Sequence, residues 1–409
     1  MKRELIEAYA KLIATSGANV QKGQYVIITT SVDQEEFACM VAKECYLLGA
    51  KRVIIKWTSA LKTKTDFLCA ETDELSKVYP FEEEEYKFMV EHLPIRIFLD
   101  DEDPDALSGI DSKKFGIANQ NRIKIIKPYR NQIDNKHQWV IAGVPSIKWA
   151  KKVFPEAKSD KQAVELLWKA ILKTARASNG KGIKNWEKHD KNLKKKCKYL
   201  NSLKLSKLHY TSKNGTDLTV GLIPGVIFLG GGEKTNTGIY FQPNIPSEEV
   251  FTSPKKGEAE GIVYASKPLV YQGQIIKDFY FKFHNGKVVE VKAKVGQEVL
   301  EHILSIDEGS SYLGECALVP YDSPINNTNL LFYSTLYDEN AACHLAIGRG
   351  FTNLYPKFEK YTDEELHSFG INDSGSHVDF MIGTKDLNIV GTTIDGKEVQ
   401  IFKDGNWAF

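Results

Sequence analysis

An alternation governs the first part of the chain. Apolar residues Leu5, Ile6, Tyr9, Leu12 and Ile13 recur at helical period until Ser16 and Gly17 interrupt them, and residues 24–30 follow as a β-branched run. Phe37, Met40, Val41 and Cys45 repeat the helical pattern up to Gly49, and residues 52–57 repeat the β-branched run. A charged helical segment over residues 82–91 leads to a third such run at 95–99. Strands separated by helices of this length are not hairpin partners. They predict an α/β domain with a mainly parallel sheet.

An amphipathic helix over 160–178 ends at Asn179-Gly-Lys-Gly182, and a lysine-rich stretch follows, from Lys184 to Lys198. The pattern then changes to short strands, 217–220 and 261–264, and a hairpin in which 279–283 turns at Asn285-Gly286 into 288–291. We therefore expect two domains, an α/β domain over 1–190 and a β-rich α+β domain over 191–409.

Charge excludes several function classes. The 54 Lys+Arg balance the 53 Asp+Glu to a formal +1, so no global field selects nucleic acid or an anionic membrane. The lysine-rich stretch lacks the interleaved aromatics and arginines that read bases, and reads as a solvated helix face. Six cysteines without a C-x-x-C pair predict reduced thiols and a cytoplasmic location. Neither a secretion signal nor a membrane span is expected. The acidic turn at 100–105 has no histidine beside it and reads as solvated. The glycine-rich residues 225–235 do not form a phosphate loop, because Glu233 stands where a lysine would follow glycine, and they read as a turn or a close backbone approach.

The concentrated chemistry lies later. Glu248 and Glu249 are adjacent in an extended segment, so only one of them can face a given site. Glu315 is embedded in an apolar run, where a carboxylate needs a partner. Glu339 precedes His344 by a spacing that puts them on different sides of a helix, so a bend or two metals must bring them together. His377 and Asp379 alternate with Val378 and Phe380, so on a strand they share one face. Three or more carboxylates with two imidazoles form a mixed O/N set suited to zinc, cobalt or manganese, and too large for one tetrahedral ion. Two divalent metal ions bridged by one carboxylate account for it most simply.

At these residues the sequence resembles the thermophilic-type metallo-aminopeptidases, the family of aminopeptidases T, S and II. The likeness runs through residues 214–220, 244–252, 313–320, 338–344 and 377–383, and the last four blocks in this order are specific to the family. The resemblance implies a cytoplasmic exopeptidase with two divalent metals, acting on peptide substrates with a free amino terminus, as a homodimer. By position it implies Glu249, Glu315, Glu339, His344, His377 and Asp379 as metal ligands, with Glu315 as the bridge and Glu249 preferred to Glu248.

One position departs from the family pattern. Where the family carries a catalytic tyrosine after the Cys-His motif, this chain has Phe351, which cannot donate a hydrogen bond to an oxyanion. Tyr355 is the nearest replacement, although Pro356 argues that any helix ends there. The expected reaction is hydrolysis by a metal-activated water, with Glu248 or a ligand acting doubly passing the proton to the leaving amine. Phe351 also motivates an alternative, a metal- or peptide-binding member with weak turnover. A third reading is another two-metal amidohydrolase.

Overall fold

The computed structural model describes residues 1–101, 103, 105–271 and 274–409. Glu102 and Pro104 of the acidic turn lie outside the described residues; within it Asp103 pairs with Lys148 at 2.7 Å and Asp105 with Lys152 at 3.1 Å. Two compact units emerge, one of Met1–Trp186 with Gly232–Pro246 and the other of Glu187–Gly231 with Ser247–Phe409.

The first unit is built on a parallel five-stranded sheet. Its strands lie in the order Arg52–Thr58, Tyr25–Ser31, Ile95–Asp100, Trp139–Gly143 and Asn244–Ile245, with every neighbouring pair parallel. Between the strands run helices, among them Glu35–Leu47, Pro80–His92 and Ser112–Ile133. The β-branched runs fill the sheet because both faces of a parallel sheet are covered, which favours continuous apolar strands. Tyr9, Phe37 and Trp168 join three helices in one aromatic contact, with ring centroids 5.5–6.2 Å apart. Ser159 caps the helix Asp160–Thr174 by accepting the Gln162 amide at 3.2 Å. No helix among the described residues is long and apolar enough to cross a membrane.

The second unit is antiparallel. A nine-stranded sheet contains the hairpin Gln274–His284 and Lys287–Val295, whose turn residues Asn285 and Gly286 take positive φ of 50° and 79°. A separate four-stranded sheet runs in the order Val250–Thr252, Leu313–Leu318, His344–Gly348 and His377–Met381, antiparallel throughout. Cys316, Leu318, Leu345, Ile347, Val378 and Phe380 belong to the core shared with the larger sheet, where Phe281 meets Phe380 at 4.8 Å. One face of the small sheet is thus spent on hydrophobic packing. The opposite face carries the polar residues.

Candidate metal centre

Side-chain alternation and register together assemble the site. Because successive side chains on a strand point to opposite faces, the core-facing Cys316, Leu345, Val378 and Phe380 place Glu315, His344, Ala346, His377 and Asp379 on the other face. Register then sets the rows. Glu315 pairs with Ala346 and Ala346 with Asp379; Ala317 pairs with His344 and His344 with Met381; Gly348 pairs with His377. Gly348 has φ +104°, and a Cβ there would lie 2.2 Å from the Ser376 carbonyl oxygen, so only glycine lets the His377 strand approach this closely.

Two carboxylates arrive from outside the ladder. Glu249 stands just before the strand Val250–Thr252, and its carbonyl oxygen would lie 2.6 Å from a Cβ on Gly230. The glycine cluster is therefore a close backbone approach: Leu229 and Phe251 exchange backbone hydrogen bonds of 3.0 and 2.8 Å beside it. Glu339 begins the one-turn helix Glu339–Ala341, after which Ala342 is fully extended (φ −157°, ψ 172°) and the strand His344–Gly348 starts. That bend sets Glu339 where the charges of Asp379, Glu249 and Glu315 reach it, although its carboxylate belongs to neither of the two groups of ligand atoms.

Glu249, Glu315 and His344 offer ligand atoms within 4.8 Å of one another, as do Glu315, His377 and Asp379, so Glu315 is common to both groups. His344 Nε2 lies 3.4 Å from Glu249 Oε2, and His377 Nε2 lies 3.1 Å from Glu315 Oε2 and 3.3 Å from Asp379 Oδ1. Each imidazole is held from behind by a backbone carbonyl, His377 Nδ1 by Arg349 at 2.8 Å and His344 Nδ1 by Ala342 at 3.3 Å. An Nδ1–H donated to a carbonyl leaves Nε2 as the ring atom that faces the carboxylates, the nitrogen through which a histidine held this way would ligate a metal. Glu315, Asp379 and His344 are buried, while His377 keeps 27% of its side chain accessible.

The electrostatics show what the site lacks. Among the described residues, no lysine or arginine pairs with Glu249, Glu315, Glu339 or Asp379. Burial, together with the charges of Asp379 and Glu249, pushes the Glu315 carboxyl up to about 7 against the hydrogen bond from His377. Burial and the same two charges raise Glu339 well above the usual carboxylate range. At His344 burial works downward, but Glu249, Glu315 and Asp379 outweigh it and lift the imidazole to about 10. Burial likewise opposes the charged form of Asp379, yet the two histidines hold its carboxyl below the usual range. Asp379 Oδ1 is buried without a hydrogen bond of acceptable geometry, despite His377 at 3.3 Å. Excess buried negative charge, an orphaned oxygen and two correctly held imidazoles all fit divalent cations.

The remaining candidates lie elsewhere. The Glu248 carboxylate turns toward His189, with Oε2 3.8 Å from Nε2, so Glu249 is the one of the pair that joins the cluster. Tyr355 stacks on Phe369 at 4.9 Å and meets Tyr361 edge-on at 5.6 Å, packed against the Ile223, Leu366 and Ile371 cluster; the structure does not bring it to the carboxylates. Phe351 does border them, its ring 5.1 Å from His377 and 5.4 Å from Phe251. Sequence reasoning passed over Ala346, whose position two residues after His344 was the available signal, and Asn340 and His189, which offered none.

The thermophilic metalloprotease (M29) family profile matches residues 2–407. The chain belongs to this family. M29 relatives include aminopeptidase AmpS of Bacillus subtilis (strain 168), 41% identical over 405 residues that cover 99% of this chain and 98% of the relative. Aminopeptidase PepS of Streptococcus thermophilus is 39% identical, covering 99% and 98%. The solved structure of wild-type AmpT from Thermus thermophilus, also over 99% of both chains, superposes with a TM-score of 0.89 at 34% identity. A 2,5-dihydroxypyridine dioxygenase from Pseudomonas putida KT2440 shares the fold alone, with a TM-score of 0.54 at 12% identity. This M29 chain is therefore a member of a family of metal-dependent peptide hydrolases.

Proposed function

We propose that the protein is an aminopeptidase that removes amino-terminal residues from peptides with two divalent metal ions, zinc, cobalt or manganese. The observation that carries this reading is Glu315, the one carboxylate common to both ligand groups. Glu249, Glu315 and His344, with Glu339 beside them, would hold one ion; Glu315, His377 and Asp379 would hold the other. Bound there, the ions would supply Lewis acidity to the scissile carbonyl and acidify a water toward neutral pKa.

The chain's own residues do the rest. Core packing behind the small sheet and the burial of Glu315, His344 and Asp379 support a preorganised site. Glu339, as a ligand acting doubly, would carry a proton to the leaving amine. Glu248, engaged with His189, supports the segment from behind. The reading includes a cytoplasmic location, in keeping with six free thiols, and a homodimer.

Hydrolysis of leucine and arginine p-nitroanilides, after chelation and after restoring cobalt or zinc, tests the proposal. Metal-dependent release is expected, and Glu315→Gln should abolish at least about a hundredfold of it, since even residues behind metal ligands contribute tenfold to a hundredfold. No release above that variant's level would sink the aminopeptidase reading. A specific observation favours a second reading: Phe351 puts a ring without a donor beside His377, which suits a weakly active peptide-binding member. Metal binding without turnover would select it.

A further inference from the structure

We propose that Asn340 is a positioning residue that ties together the two off-sheet carboxylates of the first metal position and thereby sets that position's affinity for its ion. The inference rests on the two-metal reading above.

Glu315, His344, His377 and Asp379 stand on laddered strands, so sheet register fixes their separations. Glu249 and Glu339 do not. The first precedes its strand and the second sits on a single helical turn. Some other contact has to fix where they stand.

Asn340 supplies it. The residue is 0% exposed, an unusual setting for a primary amide. Its Oδ1 accepts the backbone N–H of Glu248 at 2.7 Å, immediately before Glu249 in the chain. Its Nδ2 donates to the Leu336 carbonyl at 3.0 Å and to Glu339 Oε1 at 3.3 Å. One hydrogen bond locks its own turn, one orients the Glu339 carboxylate, and one fastens the Glu249 segment to that turn. Reversing the amide would set donor against donor and oxygen against carboxylate, so the network admits only this orientation. A side chain this committed resembles the outer partners of metal ligands, whose loss costs tenfold to a hundredfold in metal affinity.

A purely structural role needs a control, and the fold provides one. Asn201 makes a comparable clip, donating to the Phe228 carbonyl at 3.0 Å and accepting the Phe228 amide at 2.7 Å, with no ligand candidate among its partners. Wild type, Asn340→Ala and Asn201→Ala are stripped of metal, checked for folding by circular dichroism, and titrated with Co²⁺ against a chromophoric chelator while the cobalt d–d absorption is followed. Wild type should take up two ions. Asn340→Ala should lose about tenfold to a hundredfold in affinity for one ion, with its absorption band altered, and keep the other; Asn201→Ala should match wild type in both. Should the metal-free alanine variant not fold, Asn340→Ser is read by the same criteria. Wild-type affinity for both ions in the Asn340 variant, or an equal loss in Asn201→Ala, would overturn this inference and leave the two-metal reading standing. A wild type that binds fewer than two ions would overturn that reading, and the inference with it.

Discussion

Phe351 and Ala346 show how much a single side chain decides here. Phe351 lies against His377 with its ring centroid 5.1 Å away, so a phenol at this position would add a donor at the edge of the site without moving the backbone. If an oxyanion donor is what the site lacks, Phe351→Tyr should raise kcat by as much as about a hundredfold with KM little changed, as steady-state kinetics would read. An unchanged kcat would mean that the oxyanion is stabilised by other groups. Ala346 sits in register between Glu315 and Asp379 with no exposure, so a larger side chain there would press on the carboxylates beside it. Ala346→Val should therefore lower metal uptake strongly at a stability cost of about 1–3 kcal/mol, while Ala346→Gly keeps it. Equal uptake by the two variants, measured by metal analysis after gel filtration, would contradict the role given to Ala346. The choice between Glu248 and Glu249 belongs to this scale too. Alternation along an extended segment says that only one faces the site, and says nothing of which; that depends on His189, 58 residues away from Ser247, whose carbonyl it contacts at 2.7 Å.

Among elements, the strands were far more legible than the turns. His377 and Asp379 could be placed on one face because alternation is a local rule, and the hairpin at Asn285-Gly286 could be read because its turn demands positive φ. The strand Asn244–Ile245, which completes the parallel sheet of the first unit, is two residues long and has no pattern to read. The helix Ser112–Ile133 went unread because Gly116, Pro128 and scattered charge obscure its period. Asp307 was equally silent, yet it pins the loop that leads into the His377 strand. Its carboxylate accepts the Ser310 amide and hydroxyl at 2.9 Å, the Ser374 hydroxyl at 2.8 Å and the Gly375 amide at 2.6 Å. Burial works against the charged form, but these donors outweigh it and hold the carboxyl below its ordinary value. A depressed carboxyl stabilises the fold above its unfolded value near pH 4, and that contribution disappears as pH falls through the folded value. Asp307→Ala should cost about 2 kcal/mol at neutral pH, and the difference from wild type in urea denaturation should shrink as the pH is lowered below about 4. A difference independent of pH would show that the carboxylate charge is not what pins the loop.

For the whole molecule, the metal cluster links folding to pH. Without ions, protons compensate the buried charge: Glu315 titrates at about 7 and His344 at about 10, both above their ordinary values. A group with a raised folded value binds more protons folded than unfolded, so its contribution is complete below the unfolded value and is lost as pH rises through the folded one. For Glu315 that window runs from about 4.5 to about 7, and for His344 from 6.5 to about 10. The metal-free protein should thus lose stability from these groups across pH 5.5–8.5, at up to about 1.4 kcal/mol per pH unit for each proton involved. Bound cations replace the protons and remove the penalty, because ligation requires the deprotonated imidazole and carboxylate. The gap in Tm between metal-loaded and chelator-stripped protein should therefore widen steadily between pH 5.5 and 8.5 in thermal scans at fixed free metal. Metal uptake at pH 7.5 should also release protons, which calorimetry in buffers of different ionisation enthalpy would count. A gap that stays constant over this range, with no proton release, would mean that the cluster is already charge-compensated without metal, and the metal reading of these residues would fall.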